Sequence, residues 1–342
     1  MKRHQVTIID IAKELNISKS TVSRALHGHQ DINEQTKKKV LELASRLDYQ
    51  PNLLATSLVM SKSYTVGMVV PEFLTPFFPS VIMGAQEVMS KAGYNVMICQ
   101  SNESYEMEVA NTKALLASRV DGILASVTRE TRNFDHFQAL HRKGIPVVFF
   151  NRVCEELEVS KVIVDDYEGA FMAVEHLITT GRKRIAHLAG PDSLIISRRR
   201  LKGYIDALQK HILPVEEDLI IQYDLTPEKA TIYVKHLLDL PNPPDALFAI
   251  NDPTAIAAML VIKDKGLRIP QDIAVVGFSN DPASALIEPG LTTVAQPVFD
   301  IGREAAYLFL EQVDIDLEEY KPQTKVLQTK LIVRGSSIPH AV

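Results

Sequence analysis

The chain has 342 residues and a formal net charge of −5, with 46% hydrophobic and 23% charged residues. No apolar run is long enough to span a membrane and no apolar leader opens the chain, so we expect a cytoplasmic protein rather than a membrane or secreted one. The two cysteines, Cys99 and Cys154, form neither a metal-binding spacing nor a disulfide framework.

The first fifty residues predict three short helices. Thr7 can cap the first helix, with Asp10 three residues later, and apolar residues recur behind it at helical spacing. Asn16 stands at a sharp turn, because asparagine tolerates left-handed backbone better than most residues. Ser18 can cap the second helix, and a third begins near Asn33. Two short helices joined by a tight turn indicate a helix-turn-helix.

The outward face of the second helix is small, polar and basic, with Lys19, Ser20, Ser23 and Arg24. Residues 1–62 hold ten Lys/Arg and six Asp/Glu, a net charge of +4, and the remainder holds 27 and 36, a net charge of −9. A basic head on an acidic body suits contact with nucleic-acid phosphates. The sequence therefore predicts a DNA-binding head, and a surface module with merely solvated charges is the alternative.

From Tyr64 onward, short apolar runs alternate with helical stretches. Such runs are typical of parallel strands that are covered on both faces. The predicted strands are residues 66–70, 94–98, 122–125, 146–150, 162–164, 184–189, 219–221, 246–250 and 273–277. A body of about 280 residues is long for one sheet, so we predict two lobes. Ligands are then expected beyond the carboxyl ends of the strands, in the cleft between the lobes.

The chain carries none of the common catalytic motifs. We find no GxxxxGK[ST], GxGxxG, GxSxG or HExxH, and the ten histidines are scattered. The adjacent carboxylates Asp165 and Asp166 lie at a predicted strand end, where neighbouring side chains point in different directions. We therefore expect no enzymatic activity, no cofactor and no metal site.

The head resembles the headpiece of the lactose/galactose repressor (LacI/GalR) family of bacterial transcription regulators. The matching residues are Thr7, Asp10, Ile11, Ala12, the run from Ser18 to Arg24, Val40, Tyr49, Pro51 and Asn52. The resemblance continues through the body and covers nearly the whole chain. It implies an α/β fold class, with an N-terminal all-α helix-turn-helix headpiece and a two-lobed, doubly wound parallel-sheet effector domain that is periplasmic-binding-protein-like.

The resemblance also implies domain boundaries. They are a headpiece at residues 1–50, a hinge helix and linker at 51–62, and an effector-binding and dimerisation domain at 63–342. Lobe 1 would take residues 63–164 and 297–327, and lobe 2 residues 165–295 and 328–342. The three crossings between the lobes are expected near residues 164–167, 294–297 and 325–331, and a last helix at 299–312 would return to lobe 1.

Residues 51–60 are implied to be the hinge, although a lone helix of this length should be marginal in water. In the family this segment folds when two copies meet over the minor groove, and a leucine wedges into the central base step. That leucine would be Leu58, with Ala55 packing nearby; packing of Leu58 on the body is the alternative. Thr56 departs from the arginine of many relatives, which weakens a contact with the DNA backbone.

The resemblance implies a homodimer on a pseudopalindromic operator, with each second helix in a major-groove half-site. Lys19, Ser20 and Arg24 would face base edges, where arginine and lysine most often select guanine. Eight residues would contact phosphates and fix the register, namely Thr7, Ser18, Thr21, Ser23, Asn33, Thr36, Tyr49 and Asn52. The last residues, 336–342, lack a leucine heptad, which favours a dimer over a tetramer.

Nine residues are implied to line the effector cleft, namely Phe77, Phe78, Asn151, Arg152, Arg200, Asn251, Asp252, Ser279 and Gln296. The two phenylalanines would stack on a sugar ring or base, and ordinary core packing is the alternative. Arg200 matches the family's ligand-binding arginine. Ser279 replaces the aspartate of most relatives, which favours an acidic or phosphorylated ligand, whereas the family's usual effectors favour a sugar.

The expected function is a sequence-specific DNA-binding transcriptional regulator, most simply a repressor. A small molecule in the cleft, a sugar or sugar derivative, would change the angle between the lobes and decide whether the hinge helices form. A small-molecule binding protein without operator binding and a transcriptional activator of the same family are the alternatives.

Overall fold

The computed structural model describes residues 6–50, 62–315 and 319–338. The chain divides into two compact units between Ser63 and Tyr64. We call the first the headpiece and the second the effector domain. The predictions for the hinge, which concern Asn52, Ala55, Thr56 and Leu58, lie outside the described residues.

The headpiece has three helices, α1 (Ile8–Leu15), α2 (Lys19–Leu26) and α3 (Glu34–Arg46). Their ends confirm the predicted caps. The Thr7 backbone N–H donates to the Asp10 carboxylate at 2.9 Å, and the Ser18 hydroxyl accepts from the N–H of Thr21 at 3.0 Å. Asn33 caps α3 through its side-chain oxygen, and Asn16 adopts the left-handed conformation with φ 52°. The turn between α1 and α2 therefore forms where the sequence indicates it.

The headpiece has its own apolar core. Its fully buried members come from all three helices and are Ile11, Ala12, Val22, Ala25, Val40, Leu43 and Ala44. Because α2 turns Val22 and Ala25 inward, the helical period leaves Lys19, Ser20 and Arg24 on its exposed side.

Lobe 1 of the effector domain is a six-stranded parallel sheet. Its strands are β1 (Thr65–Val70), β2 (Asn95–Gln100), β3 (Gly122–Ala125), β4 (Val147–Phe150), β5 (Ser160–Val164) and β11 (Thr324–Leu327). They lie in the order β11-β5-β4-β3-β1-β2. Its helices are α4 (Phe77–Lys91), α5 (Tyr105–Ala117), α6 (Asp135–Arg142) and α12 (Val298–Gln312).

Lobe 2 is a second six-stranded sheet. Its strands are β6 (Ile185–Ala189), β7 (Ile220–Gln222), β8 (Ala246–Ala249), β9 (Ala274–Ser279), β10 (Thr292–Ala295) and β12 (Lys330–Ile332). They lie in the order β12-β10-β9-β8-β6-β7, and only β12 is antiparallel to its neighbour. Its helices are α7 (Asp166–Thr179), α8 (Ile195–Lys210), α9 (Pro227–Leu238), α10 (Asp252–Asp264) and α11 (Ala283–Leu286).

Each sheet has an apolar cluster on both faces. All nine predicted strands are present, which confirms the doubly wound prediction. The sequence missed β10, β11 and β12. The predicted crossing at residues 325–331 is wrong in extent, because most of it belongs to β11 and β12 and only residues 328–329 connect the sheets. No helix in the described ranges is long and apolar enough to cross a membrane.

Candidate functional site

The helix α2 presents the three predicted base-reading residues, Lys19, Ser20 and Arg24, and all three are exposed. The Arg24 guanidinium pairs with the Asp31 carboxylate, and the two side chains are 52% and 47% exposed. An ion pair this exposed contributes about 0–1 kcal/mol. Arg24 is therefore available to exchange Asp31 for a base edge.

The predicted phosphate contacts surround the starts of the helices. Thr7, Ser18 and Asn33 are exposed and stand at the N-terminal ends of α1, α2 and α3. Backbone N–H groups and the helix dipole attract anions at such ends. The other described members of the set, Thr21, Ser23, Thr36 and Tyr49, are half-buried. Tyr49 packs against the headpiece core, and burial raises the pKa of its hydroxyl.

The second candidate site is a cavity at the carboxyl ends of the strands, between the two lobes. Its empty space is about 540 Å³, with the opening to solvent included. Eight of the nine predicted cleft residues line it, namely Phe77, Phe78, Asn151, Arg152, Arg200, Asn251, Ser279 and Gln296. The geometry is that of a ligand site at the switch point of a doubly wound sheet.

Asp252 does not line the cavity, contrary to the prediction. Its carboxylate is fully buried and accepts from the Thr293 hydroxyl at 2.6 Å, the Ser284 hydroxyl at 2.6 Å and the Asp281 backbone N–H at 2.8 Å. A Cβ added at Gly277 would lie 2.3 Å from this carboxylate, so glycine is required beside it. Asp252 therefore ties α10 to the turn after β9.

Arg200 reaches the cavity from α8, and its charge is already matched. Its Nε donates to Asp166 Oδ1 at 2.8 Å, and its Nη1 donates to the Ile250 carbonyl oxygen at 2.5 Å. Its guanidinium carbon lies 3.6 Å from the centre of the Phe278 ring. Burial raises the pKa of Asp166, and the charge of Arg200 opposes that rise. The guanidinium that lines the cavity is therefore fixed in place by its partners.

Arg152, on the lobe 1 side, is also paired. Its Nη1 donates to both oxygens of the Glu103 carboxylate, at 2.8 and 2.9 Å. Its guanidinium carbon lies 5.9 Å from the centre of the Phe78 ring. The rings of Phe77 and Phe78 meet edge to face at 5.1 Å. Lobe 1 thus offers the cavity aromatic surface together with a neutralised arginine.

Seven residues that sequence reasoning missed also line the cavity, namely Glu72, Thr75, Ile196, Leu225, Ile250, Pro253 and Asp281. The aspartate that Ser279 replaces is therefore not the cavity's only source of a carboxylate, because Glu72 and Asp281 supply two. The available signal was position, since both follow the end of a central parallel strand. Within the described ranges, no three His, Cys, Asp or Glu side chains come together as a metal ion would require.

The backbone around the cavity contains strained residues. Asn151, Leu225 and Ser279 have φ values of 58°, 65° and 121°, in the region that favours glycine. Gln296 Nε2 donates to the Ser279 hydroxyl at 3.0 Å, whereas the buried Gln296 Oε1 has no partner in the described part of the chain. Strained backbone and unsatisfied polar atoms cluster at functional sites.

The two lobes are joined beside the cavity through Arg129, which follows β3. Its Nη1 donates to the Asp224 carbonyl oxygen at 2.6 Å, and its own carbonyl accepts from the Ser193 hydroxyl at 2.9 Å. Both partners belong to lobe 2. Its backbone N–H donates to Glu103, the partner of Arg152. This clasp, the set of Arg129 bonds, therefore connects lobe 2 to the ion pair of Arg152, which lines the cavity.

Comparison with known families assigns both units. Residues 7–52 match a profile described as "Bacterial regulatory proteins, lacI family". Residues 63–333 match one described as "Periplasmic binding proteins and sugar binding domain of LacI family". The chain belongs to the LacI family. This confirms the resemblance, and the second profile begins at residue 63, next to the boundary between the headpiece and the effector domain.

Curated relatives of this LacI-family chain are transcriptional regulators. It is 32% identical over 331 residues to the HTH-type transcriptional repressor CytR of Escherichia coli K12, covering 97% of this chain and 96% of that protein. It is 36% identical over 337 residues to the probable HTH-type transcriptional repressor ExuR of Bacillus subtilis 168, covering 97% and 98%.

Two solved structures share the fold. A complex of the transcriptional regulator CelR with cellobiose is 31% identical, with a TM-score of 0.74 over 97% of this chain and 100% of that one. The lac repressor dimer bound to operator and the anti-inducer ONPF is 24% identical, with a TM-score of 0.87 over 98% and 100%. The similarity to the lac repressor structure supports the fold assignment alone.

Proposed function

We propose that this LacI-family protein is a transcriptional repressor whose affinity for its operator is controlled by a sugar or sugar derivative in the cleft. The observation that carries the proposal is the presence, in one chain, of an exposed Lys19, Ser20 and Arg24 face on α2 and a polar cavity between two lobes. A sensor alone has no need of the α2 face. Because its target is chromosomal DNA, the protein acts in the cytoplasm, and it binds its ligand without chemical conversion.

The headpiece reads DNA through α2. Lys19, Ser20 and Arg24 face base edges in the major groove, and a guanidinium there is suited to guanine. The caps Thr7, Ser18 and Asn33 contact phosphates and set the register. The protein is a homodimer, so the operator is a pseudopalindrome with one half-site for each headpiece. We retain Ala55, Thr56 and Leu58 as the hinge contacts and Asn52 as a phosphate contact.

The effector domain binds the ligand between its lobes. The CelR relative in complex with cellobiose supports a sugar as the ligand. Phe77 and Phe78 offer aromatic surface for a sugar ring, and Asn151, Asn251 and Gln296 offer amides for its hydroxyls. A ligand that contacts both lobes stabilises one relative arrangement of them, and only that difference in affinity can change DNA binding.

The deciding test compares two arginines of the headpiece. Arg24→Ala removes a base contact, so we expect operator affinity to fall about ten- to hundredfold relative to a scrambled sequence, with ligand binding unchanged. Arg46→Ala is the matched control, because Arg46 is exposed and pairs with Glu14 as Arg24 pairs with Asp31, but lies on α3. Fluorescence anisotropy on labelled duplexes measures both. Equal operator affinity in Arg24→Ala and the wild type would contradict the assignment.

A further inference from the structure

Asp281 is a largely buried residue whose carboxylate faces the cavity and has no partner among the described residues. It lies in the turn after β9, lines the cavity and is only 9% exposed. Its backbone N–H donates to Asp252 Oδ2, which fixes its position. Within residues 6–50, 62–315 and 319–338, no group donates a hydrogen bond to its carboxylate oxygens. A desolvated carboxylate without a donor is costly, so its position favours a donor that arrives with the ligand.

The charge balance of the cavity is negative. The two guanidinium groups, Arg152 and Arg200, are matched by Glu103 and Asp166. Glu72 and Asp281 also line the cavity, and no cation of the described chain pairs with either. Among the described residues, Glu72 accepts hydrogen bonds from the backbone N–H and the hydroxyl of Thr75, at 3.0 and 2.6 Å. An anionic ligand would therefore meet two unmatched carboxylates, not two free arginines.

The unmatched carboxylates come from opposite lobes. Glu72 follows β1 in lobe 1, and Asp281 follows β9 in lobe 2. Burial first, and then the charges of Asp252 and Glu72, raise the pKa of Asp281 to about 6. Arg334, another cation of lobe 2, is engaged by the Asn280 side chain and the Leu291 carbonyl. Asp281 thus lies in a negative potential that a donor or cation on the ligand would relieve.

We infer that Asp281 determines specificity: it accepts a hydrogen bond from the effector, so the cleft selects a neutral or positively charged sugar over an anionic one. The inference rests on the proposed function in taking this cavity as the effector site. It differs from the expectation based on Ser279 alone, because the carboxylate absent from that position is present two residues later.

The test is calorimetric titration of the full-length protein with matched sugars. The probes are cellobiose, glucose, glucosamine and glucuronate, which differ mainly in charge and size. Wild-type protein should bind its best neutral or amino sugar at least about tenfold more tightly than glucuronate, the effect of one charge-assisted hydrogen bond. Asp281→Asn should reduce that ratio about tenfold or more. Asp264→Asn, at the exposed end of α10, is the control and should leave the ratio unchanged.

Three results would overturn the inference. They are tighter binding of glucuronate than of any other probe, an unchanged ratio in Asp281→Asn, and no binding of any probe by a protein that binds its operator. In each case, a protein that still binds its operator retains the proposed DNA-binding function. A failure of that function would be seen separately, as a loss of operator binding in the anisotropy assay. A measurement on the wild type avoids any folding defect of the variant: the ratio should fall between about pH 7 and about pH 5, as Asp281 gains a proton.

Discussion

The buried pair of Arg200 and Asp166 yields a prediction about the stability of lobe 2. Their side chains are 3% and 2% exposed, so neither charge is solvated. Asp166→Asn keeps the size of the side chain and removes its charge. The guanidinium of Arg200 then remains buried without the carboxylate that neutralises it, beside the Ile250 carbonyl and the Phe278 ring.

The magnitude follows from the geometry. At 2.8 Å, two unit charges attract by about 6 kcal/mol for an effective dielectric constant of about 20. The asparagine oxygen still accepts a hydrogen bond, and water can enter from the cavity, so the net loss is smaller. Removing one partner of a buried pair costs about 3–5 kcal/mol. We expect Asp166→Asn to lower the free energy of unfolding by about this amount.

Urea denaturation followed by circular dichroism measures the loss, because the chain contains no tryptophan. Arg199→Ala is the control, because Arg199 lies next to Arg200 on α8. Arg199 pairs with Glu155 at 3.0 Å, but the side chains are 33% and 51% exposed, so the cost should stay below about 1 kcal/mol. A loss in Asp166→Asn no greater than in Arg199→Ala would refute the argument from burial.

The reverse variant separates charge from packing. Arg200→Met leaves Asp166 buried, but that carboxyl can neutralise itself by binding a proton, because burial already raises its pKa. The destabilisation by Arg200→Met should therefore shrink as the pH falls. The double variant Asp166→Asn/Arg200→Met buries no unpaired charge. Its loss in the free energy of unfolding should therefore be less than the sum of the losses in the two single variants. Strict additivity would show that the two groups do not act as a pair.

Two further predictions concern the cleft. Burial, aided by neighbouring carboxylates, raises the pKa of folded Asp281 to about 6, so the contribution of Asp281 to stability falls as the pH rises from about 4 to about 6. Asp281→Asn should remove that contribution from the pH dependence of thermal unfolding, and parallel curves for the variant and the wild type would contradict it. Arg129→Ala should speed amide hydrogen exchange around Ser193 and Asp224, because it removes a bond to lobe 2. Arg132→Ala is the control and should have a smaller effect, because among the described residues the Arg132 guanidinium donates only within lobe 1. Equal exchange in the two variants would exclude a role for the clasp.

Four of the predicted strands form continuous apolar runs because both of their faces are covered. β3, β4, β6 and β8 are fully buried, so each reads as an apolar run between helices. β11 and β12 are sheet edges with alternating or polar residues and only three or four positions each. Partly polar edge strands such as these do not differ from loops in local composition. Their place is fixed by pairing with β5 and β10, which lie far away in sequence.

The sequence predicted which strand ends border the cavity but not every side chain that faces it. Asp252 and Asp281 illustrate the difference. Both follow strand ends and both are carboxylates. Three donors hold the Asp252 side chain inside lobe 2, whereas Asp281 faces the cavity and has no partner among the described residues. The donors to Asp252 include Thr293, 41 residues away in the sequence. A contact at that separation leaves no local pattern.

The charge of the cleft is a property of pairs, and it cannot be read from the residues one at a time. Arg152 and Arg200 in a linear sequence suggest an anion site, but their partners Glu103 and Asp166 precede them by 49 and 34 residues. Once paired, the arginines act as rigid donors and contribute little net field. The field then comes from Glu72 and Asp281. The same pairs explain why Asp166→Asn should both destabilise lobe 2 and expose the charge of Arg200 to the ligand.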